Sequence, residues 1–271
     1  MKIRVKSLEK IVAICEAMHK RSRSASIANE RIFYARMLFN KGMLHGRSLC
    51  LQLEPAKEGD EIDFPGIAAL TRVLIESHNA FVYLTESGLT QCEREFRITL
   101  MQLNQSSDLL KITDTLIENK ANPTLYFQKA SKSHSINVLK NNSVFNSLSE
   151  KQRAHLLKGK SPYLMERYGG PRPVTKKLES AIYNLFSHNV HSYGLSASYS
   201  SHGAMTPAGF MNLLFLGVEA AIIFLAHLAK QYQNVRGRAL GTMPKCDKNF
   251  IEETLLLTHI NEWKNKLVYQ M

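Results

Sequence analysis

At 271 residues, with 44% hydrophobic and 21% charged residues, the chain has an ordinary globular composition; this excludes a low-complexity chain and leaves room for a sizeable core. Its four cysteines, Cys15, Cys50, Cys92 and Cys246, lie far apart with no C-x-x-C pair, which argues against a disulfide scaffold or structural zinc and for a reducing cytoplasm. The net charge of +12 is uneven: residues 1–50 carry 11 Lys and Arg against 3 acidic residues, residues 51–119 carry 5 against 12, and residues 120–271 carry 19 against 8.

That asymmetry suits two arrangements. Either the basic outer segments attract a nucleic acid or another polyanion, or an acidic centre docks on basic flanks within one fold. The N-terminus MKIRVKSLEKIVAICEAMHK is basic, but Glu9, Lys10 and Glu16 interrupt its apolar positions, so it does not read as a signal peptide.

The elements predicted in chain order are helices almost throughout. Leu8, Ile11, Val12, Cys15 and Met18 recur at helical period over 5–20. A second helix covers 26–53, with a break predicted at Gly42 and Gly46. EPAKEGDEIDFPG is a loop rich in Pro, Gly and acidic residues, and Pro65 opens a helix that Ser87-Gly88 stops. Helices follow at 89–117, 123–140 and 149–158, the last with Ser149 and Gln152 at capping-box spacing. After GGPRP the pattern predicts a helix over 174–192, a loop YGLSASYSSHGAMTP placed to act as a lid, and helices near 207–233 and 247–267.

No strand pattern appears. The class is all-α: a multi-helix bundle of eight or nine helices around a buried central helix. Residues 1–271 read as one domain, with 65–267 as core and the basic helices of 1–53 packed peripherally. LLFLGVEAAIIFLAHLA (213–229) is nearly long enough to cross a membrane, but Glu219 near its middle favours a buried helix of a soluble bundle.

The stretch LTRVLIESHNAF (70–81) sets Arg72, Glu76 and His78 into an otherwise apolar helix. At about 100° per residue Arg72 and Glu76 share a face, and Asn79 and Tyr83 continue the stripe. The helix over 174–192 carries a matching stripe of Glu179, Tyr183, Ser187 and His191, and the 207–233 helix adds Asn212 and Glu219. Buried charges need partners, so the three stripes are expected to meet in a mostly buried network of Arg72, Glu76, Tyr183, Ser187, His191 and Glu219. His78 points about 160° away from Glu76. Arg72 and His78 satisfy the loose R-x(4–6)-H spacing of HEPN-type ribonucleases, but Val73 stands where that family usually has a polar residue, which favours a core or surface histidine.

RVLIES, the Glu- and Arg-bearing CEREFR, and YNLFSHNVHS together resemble an uncharacterised helical bacterial family with an R-x-L-x-E helix and a downstream Y-x-x-x-S-x-x-x-H element. The matching residues are Arg72, Leu74 and Glu76, then Tyr183, Ser187 and His191, across roughly 65–192. The resemblance implies an architecture and a shared polar centre but no reaction, with a distant HEPN-like relation as its furthest extension.

Other signatures fall short. GLSASYSSHG lacks a G-x-S-x-G elbow, YGGPRP lacks the G-K-[ST] of a phosphate loop, and His188, His191 and His202 have no carboxylate fixed beside them; no metal or cofactor is expected. Two functions remain. The first is a cytoplasmic helical binding or regulatory protein with a structural polar centre and a basic surface, open to homo-oligomerisation. The second is an RNA- or nucleotide-directed hydrolase in which Arg72 holds phosphate, His191 acts as acid or base, Glu76 orients one of them, and Tyr183, Ser187 and Glu219 line the site.

Overall fold

Helix is the only extended regular structure among the residues that the structure, a computed structural model, describes: 2–54, 62–117, 122–190 and 207–270. They contain eleven α-helices, where the sequence pattern predicted eight or nine. These are α1 (Lys2–Ser22), α2 (Glu30–Gln52), α3 (Phe64–Thr85), α4 (Gln91–Leu116), α5 (Pro123–Lys140), α6 (Ser143–Asn146), α7 (Glu150–Leu156), α8 (Lys176–Val190), α9 (Pro207–Leu240), α10 (Lys245–Thr254) and α11 (Leu257–Gln270). The extra count comes from α6, four residues long, and from the predicted 247–267 helix, which is split between Thr254 and Leu257.

Local chemistry sets many of the boundaries. Asp63 accepts the Gly66 amide at 3.0 Å at the start of α3, Thr90 caps α4, and Asn122 followed by Pro123 opens α5. The Ser149–Gln152 capping box forms at α7 as predicted. Gly88 takes φ +78° just after α3, a backbone conformation open to glycine at little steric cost.

The predicted break in α2 does not occur. Gly42 and Gly46 lie on one face of an unbroken helix, where α9 comes too close for a side chain: a Cβ at Gly42 would stand 2.5 Å from Leu228 Cδ2, and one at Gly46 2.7 Å from Leu225 Cδ1 and 3.0 Å from Val12 Cγ2. Close helix packing, rather than a turn, accounts for both glycines.

The described residues form two compact units, Met1–Thr85 with Gly170–Met271, and Glu86–Gly169. In the first unit, two buried helices share the centre instead of one. Helix α9 packs against α1, α2, α3, α10 and α11, and every residue from 216 to 229 is buried. Helix α3 packs against α2, α8 and α9. Leu8, Ile11 and Cys15 of α1 and Ala35 and Phe39 of α2 are fully enclosed, so residues 1–53 contribute core and not only periphery. The one helix of a length and composition to cross a membrane among the described residues, Met211–Leu240, has 89% of its apolar window buried within the fold.

The second unit is built on α4 and α5, with Phe96, Leu100, Leu103, Leu139, Phe145 and Leu156 as its core. Arg97, 2% exposed, is the largest fully buried side chain among the described residues. It donates to Glu93 (2.8 Å), Glu86 (2.6 Å) and the carbonyl of Arg167 (2.7 Å), while Arg167 returns to Glu93. Despite partial burial, the hydrogen bonds and charges of these two arginines hold the Glu93 carboxyl below the ordinary carboxylate range.

Candidate polar centre on helices α3 and α8

Two of the three polar stripes meet. The α3 stripe faces the α8 stripe because both helices bury their apolar sides in the first unit, leaving polar residues along the outer edge of their seam. The Tyr183 hydroxyl donates to Glu76 Oε1 at 2.7 Å and accepts from Arg72 Nε at 3.1 Å, and Arg72 Nε also reaches Glu76 Oε1 at 3.2 Å. The Arg72 guanidinium lies over the Tyr183 ring, 5.1 Å from its centroid.

Burial works against the Arg72 charge, but its bonds to Tyr183 and Glu76 outweigh that, and the guanidinium is held above its ordinary value. Burial and the bond to Glu76 raise the Tyr183 phenol against the pull of Arg72, so Tyr183 stays a donor at neutral pH.

This cluster is less enclosed than the predicted network. The side chains of Arg72 and Glu76 are 25% and 37% exposed, enough for water to share in their solvation. Ser187 sits one turn beyond Tyr183 and donates to the Tyr183 carbonyl of its own helix at 2.8 Å, outside the cluster. Glu219 is elsewhere: 1% exposed, it is held by Arg4 of α1, whose Nη2 donates to Oε2 at 2.7 Å, and His259 Nε2 stands 3.9 Å from the same oxygen. His191, like the predicted lid after it, lies outside the described residues.

One turn along the same seam, Asn79 donates to Glu179 Oε1 at 2.7 Å, and Arg172 donates to Glu179 Oε2 at 3.3 Å. From Asn79 a chain of contacts runs inward: Asn79 Oδ1 to His78 Nδ1 (3.1 Å), His78 Nε2 to His227 Nδ1 (2.8 Å), and His227 Nε2 to Gln231 Nε2 (3.3 Å). One assignment of hydrogens satisfies every link, with Gln231 donating to His227, His227 to His78, His78 to Asn79, and Asn79 to Glu179. It requires both imidazoles to be neutral. Burial lowers His227 to about 4; burial, and then the neighbouring His227, push His78 well below its ordinary value. Of the core and surface places that the sequence left open for His78, it takes the core: it is 1% exposed and packed edge-on against Phe224.

Comparison with family models, curated proteins and solved structures gives no match to this chain. Among the described residues no three His, Cys, Asp or Glu side chains are placed to hold a metal ion. The sequence reading missed the His78–His227 contact and the role of Arg172. A histidine on the buried side of each of two apolar helices was the available signal for the first; nothing local marked the second.

Proposed function

We propose that the chain is a helical binding or regulatory protein without catalytic activity, which engages an acidic partner through the basic outer surface of α1 and α2. The observation that carries this reading is the placement of charge in residues 1–50. Lys6, Lys20, Arg23, Lys41 and Arg47 are exposed, whereas of the three acidic residues there only Glu30 is exposed. An excess of exposed cations raises the local concentration of an anionic partner and speeds its encounter. The Arg72–Glu76–Tyr183 cluster supports the same reading from the other side, because its donors and acceptors engage one another. His78 and His227 are sealed in the core and held neutral, so neither is poised for exchange with a bound substrate. The resemblance to the R-x-L-x-E family belongs to this proposal as a common architecture.

The second reading, an RNA- or nucleotide-directed hydrolase, is favoured by one observation: Arg72 keeps a quarter of its side chain in solvent and rests on Tyr183, whose helix leads in sequence to His191. The test measures fluorescence anisotropy with labelled oligouridine and labelled polyglutamate, together with incubation of total RNA. The binding reading expects intact RNA and an affinity that falls steeply between about 50 and 200 mM salt. RNA cleavage that disappears in His191→Ala at unchanged helicity overturns it in favour of the hydrolase, and absence of binding to both probes at low salt overturns it outright.

A further inference from the structure

Helix α2 is apolar on two sides. Its inner side, with Leu38, Phe39, Met43 and Leu49, lies in the core. Its outer side carries Phe33 (47% exposed), Met37 (41%), Leu44 (45%) and Leu51 (64%). Scattered single apolar residues on a surface are unremarkable, but these four are aligned. At about 100° per residue they fall within about 40° of one another, and at 1.5 Å per residue they span about 27 Å.

With Asn40 and Arg47 they occupy positions 33, 37, 40, 44, 47 and 51. That alternation of four and three is the spacing at which one helix presents a seam to another. Three cations, Arg36, Lys41 and Arg47, lie on or beside the seam, and between Glu30 and Glu54 the helix carries no acidic residue.

Charge and width together select the occupant. A second copy of α2 would set these cations against their own kind, since the helix offers no acid to meet them along the seam. A bilayer surface suits a helix with a broad apolar face, whereas this stripe is narrow, as in a helix–helix contact. We propose that the outer face of α2 is a docking seam for an amphipathic helix of another protein, one with apolar residues at heptad spacing and acidic residues flanking them. The inference rests on the binding reading above and deepens it, naming an acidic helix as the partner of the basic surface.

The experiment titrates the full-length chain against two labelled designed helical peptides, both with Leu at the seam positions, one flanked by Glu and the other by Lys. The Glu-flanked peptide is expected to bind at least tenfold tighter than the Lys-flanked one. Met37→Glu/Leu44→Glu should lose at least tenfold in that binding with unchanged helicity by circular dichroism, and Lys41→Glu/Arg47→Glu should reverse the preference. Equal binding of the two peptides, or no effect of the apolar pair of substitutions, overturns the seam. So does a wild-type dimer at low micromolar concentration, or binding to anionic phosphatidylserine vesicles, if Met37→Glu/Leu44→Glu abolishes it. Polyglutamate and oligouridine binding that survives in Met37→Glu/Leu44→Glu, beside a failed peptide arm, rejects the seam while leaving the broader binding reading standing. RNA cleavage rejects that broader reading instead.

Discussion

Acid should weaken the first unit between pH 7.5 and pH 5, and the buried histidine pair should be a principal cause. An imidazole free in the unfolded chain titrates near 6.5, whereas burial holds His227 at about 4. Between those values the unfolded chain takes up a proton that the folded chain refuses, so stability is complete above about pH 6.5 and is lost as pH falls toward 4. At pH 5 the loss from His227 alone is about 2 kcal/mol relative to pH 7.5. His78 is shifted in the same direction and adds to it. Such a loss is a sizeable part of an ordinary domain's stability, about 5–15 kcal/mol. The assay is urea unfolding followed through Trp263, the single tryptophan, which is buried in the first unit. His78→Gln/His227→Gln keeps a donor and an acceptor at each position but removes the titration, so its stability should vary much less over this range. His19 and His45, also lowered by burial, remain in both proteins and cancel in the comparison. Proton NMR of the wild type is an independent check: the two imidazoles whose signals vanish in His78→Gln/His227→Gln should titrate well below 6.5. Equal slopes in the two proteins, with those two imidazoles titrating near 6.5, would refute the neutral pair.

Four further substitutions separate the forces in the fold. Gly46→Val drives a branched side chain into Leu225 and Val12 and should destabilise the first unit by about 1–3 kcal/mol in urea. Gly237→Ala, with nothing within 4 Å of its Cβ in an exposed stretch of α9, should instead stabilise it by about 0.5–1 kcal/mol. Arg97→Met strands Glu93 and Glu86 without their buried partner and should cost the second unit about 3–5 kcal/mol, seen as lost amide protection in α4 by hydrogen exchange. Tyr183→Phe removes two hydrogen bonds at a partly exposed site; about 1 kcal/mol of stability should go while polyanion binding stays unchanged.

Much of the helical order was legible because period and caps are local. Ser149 and Gln152 announce α7 within four residues, and Pro123 after Asn122 announces α5. What stayed hidden depends on neighbours remote in sequence. Gly42 and Gly46 read as a helix break until α9 is seen lying against them, since a glycine that permits a turn and one that permits close packing look alike in a single chain. The division at Glu86 and Gly169 falls at Ser87-Gly88 and GGPRP, which mark helix ends and look the same whether or not a new unit begins there.

The polar centre shows where spacing ends as a guide. Glu76 and Tyr183 each belong to a stripe repeating at three or four residues, and two such stripes on neighbouring helices find each other, as the 2.7 Å bond between them records. Glu219 stood on the same footing, yet it serves another contact. Gly217, two residues earlier, is the point where α9 touches α3 and α8: its Cβ would lie 3.3 Å from Ile67 and 3.8 Å from both Phe186 and Thr71. Two residues on is about 200° round the helix, so a side chain at 219 leaves the α3–α8 side and turns toward α1, where Arg4 meets it. Periodicity shows which residues of one helix share a face; it does not show which neighbour that face will meet. In this chain α9 turns its 217 side to α3 and α8 and its 219 side to α1, and no spacing within α9 tells the two apart.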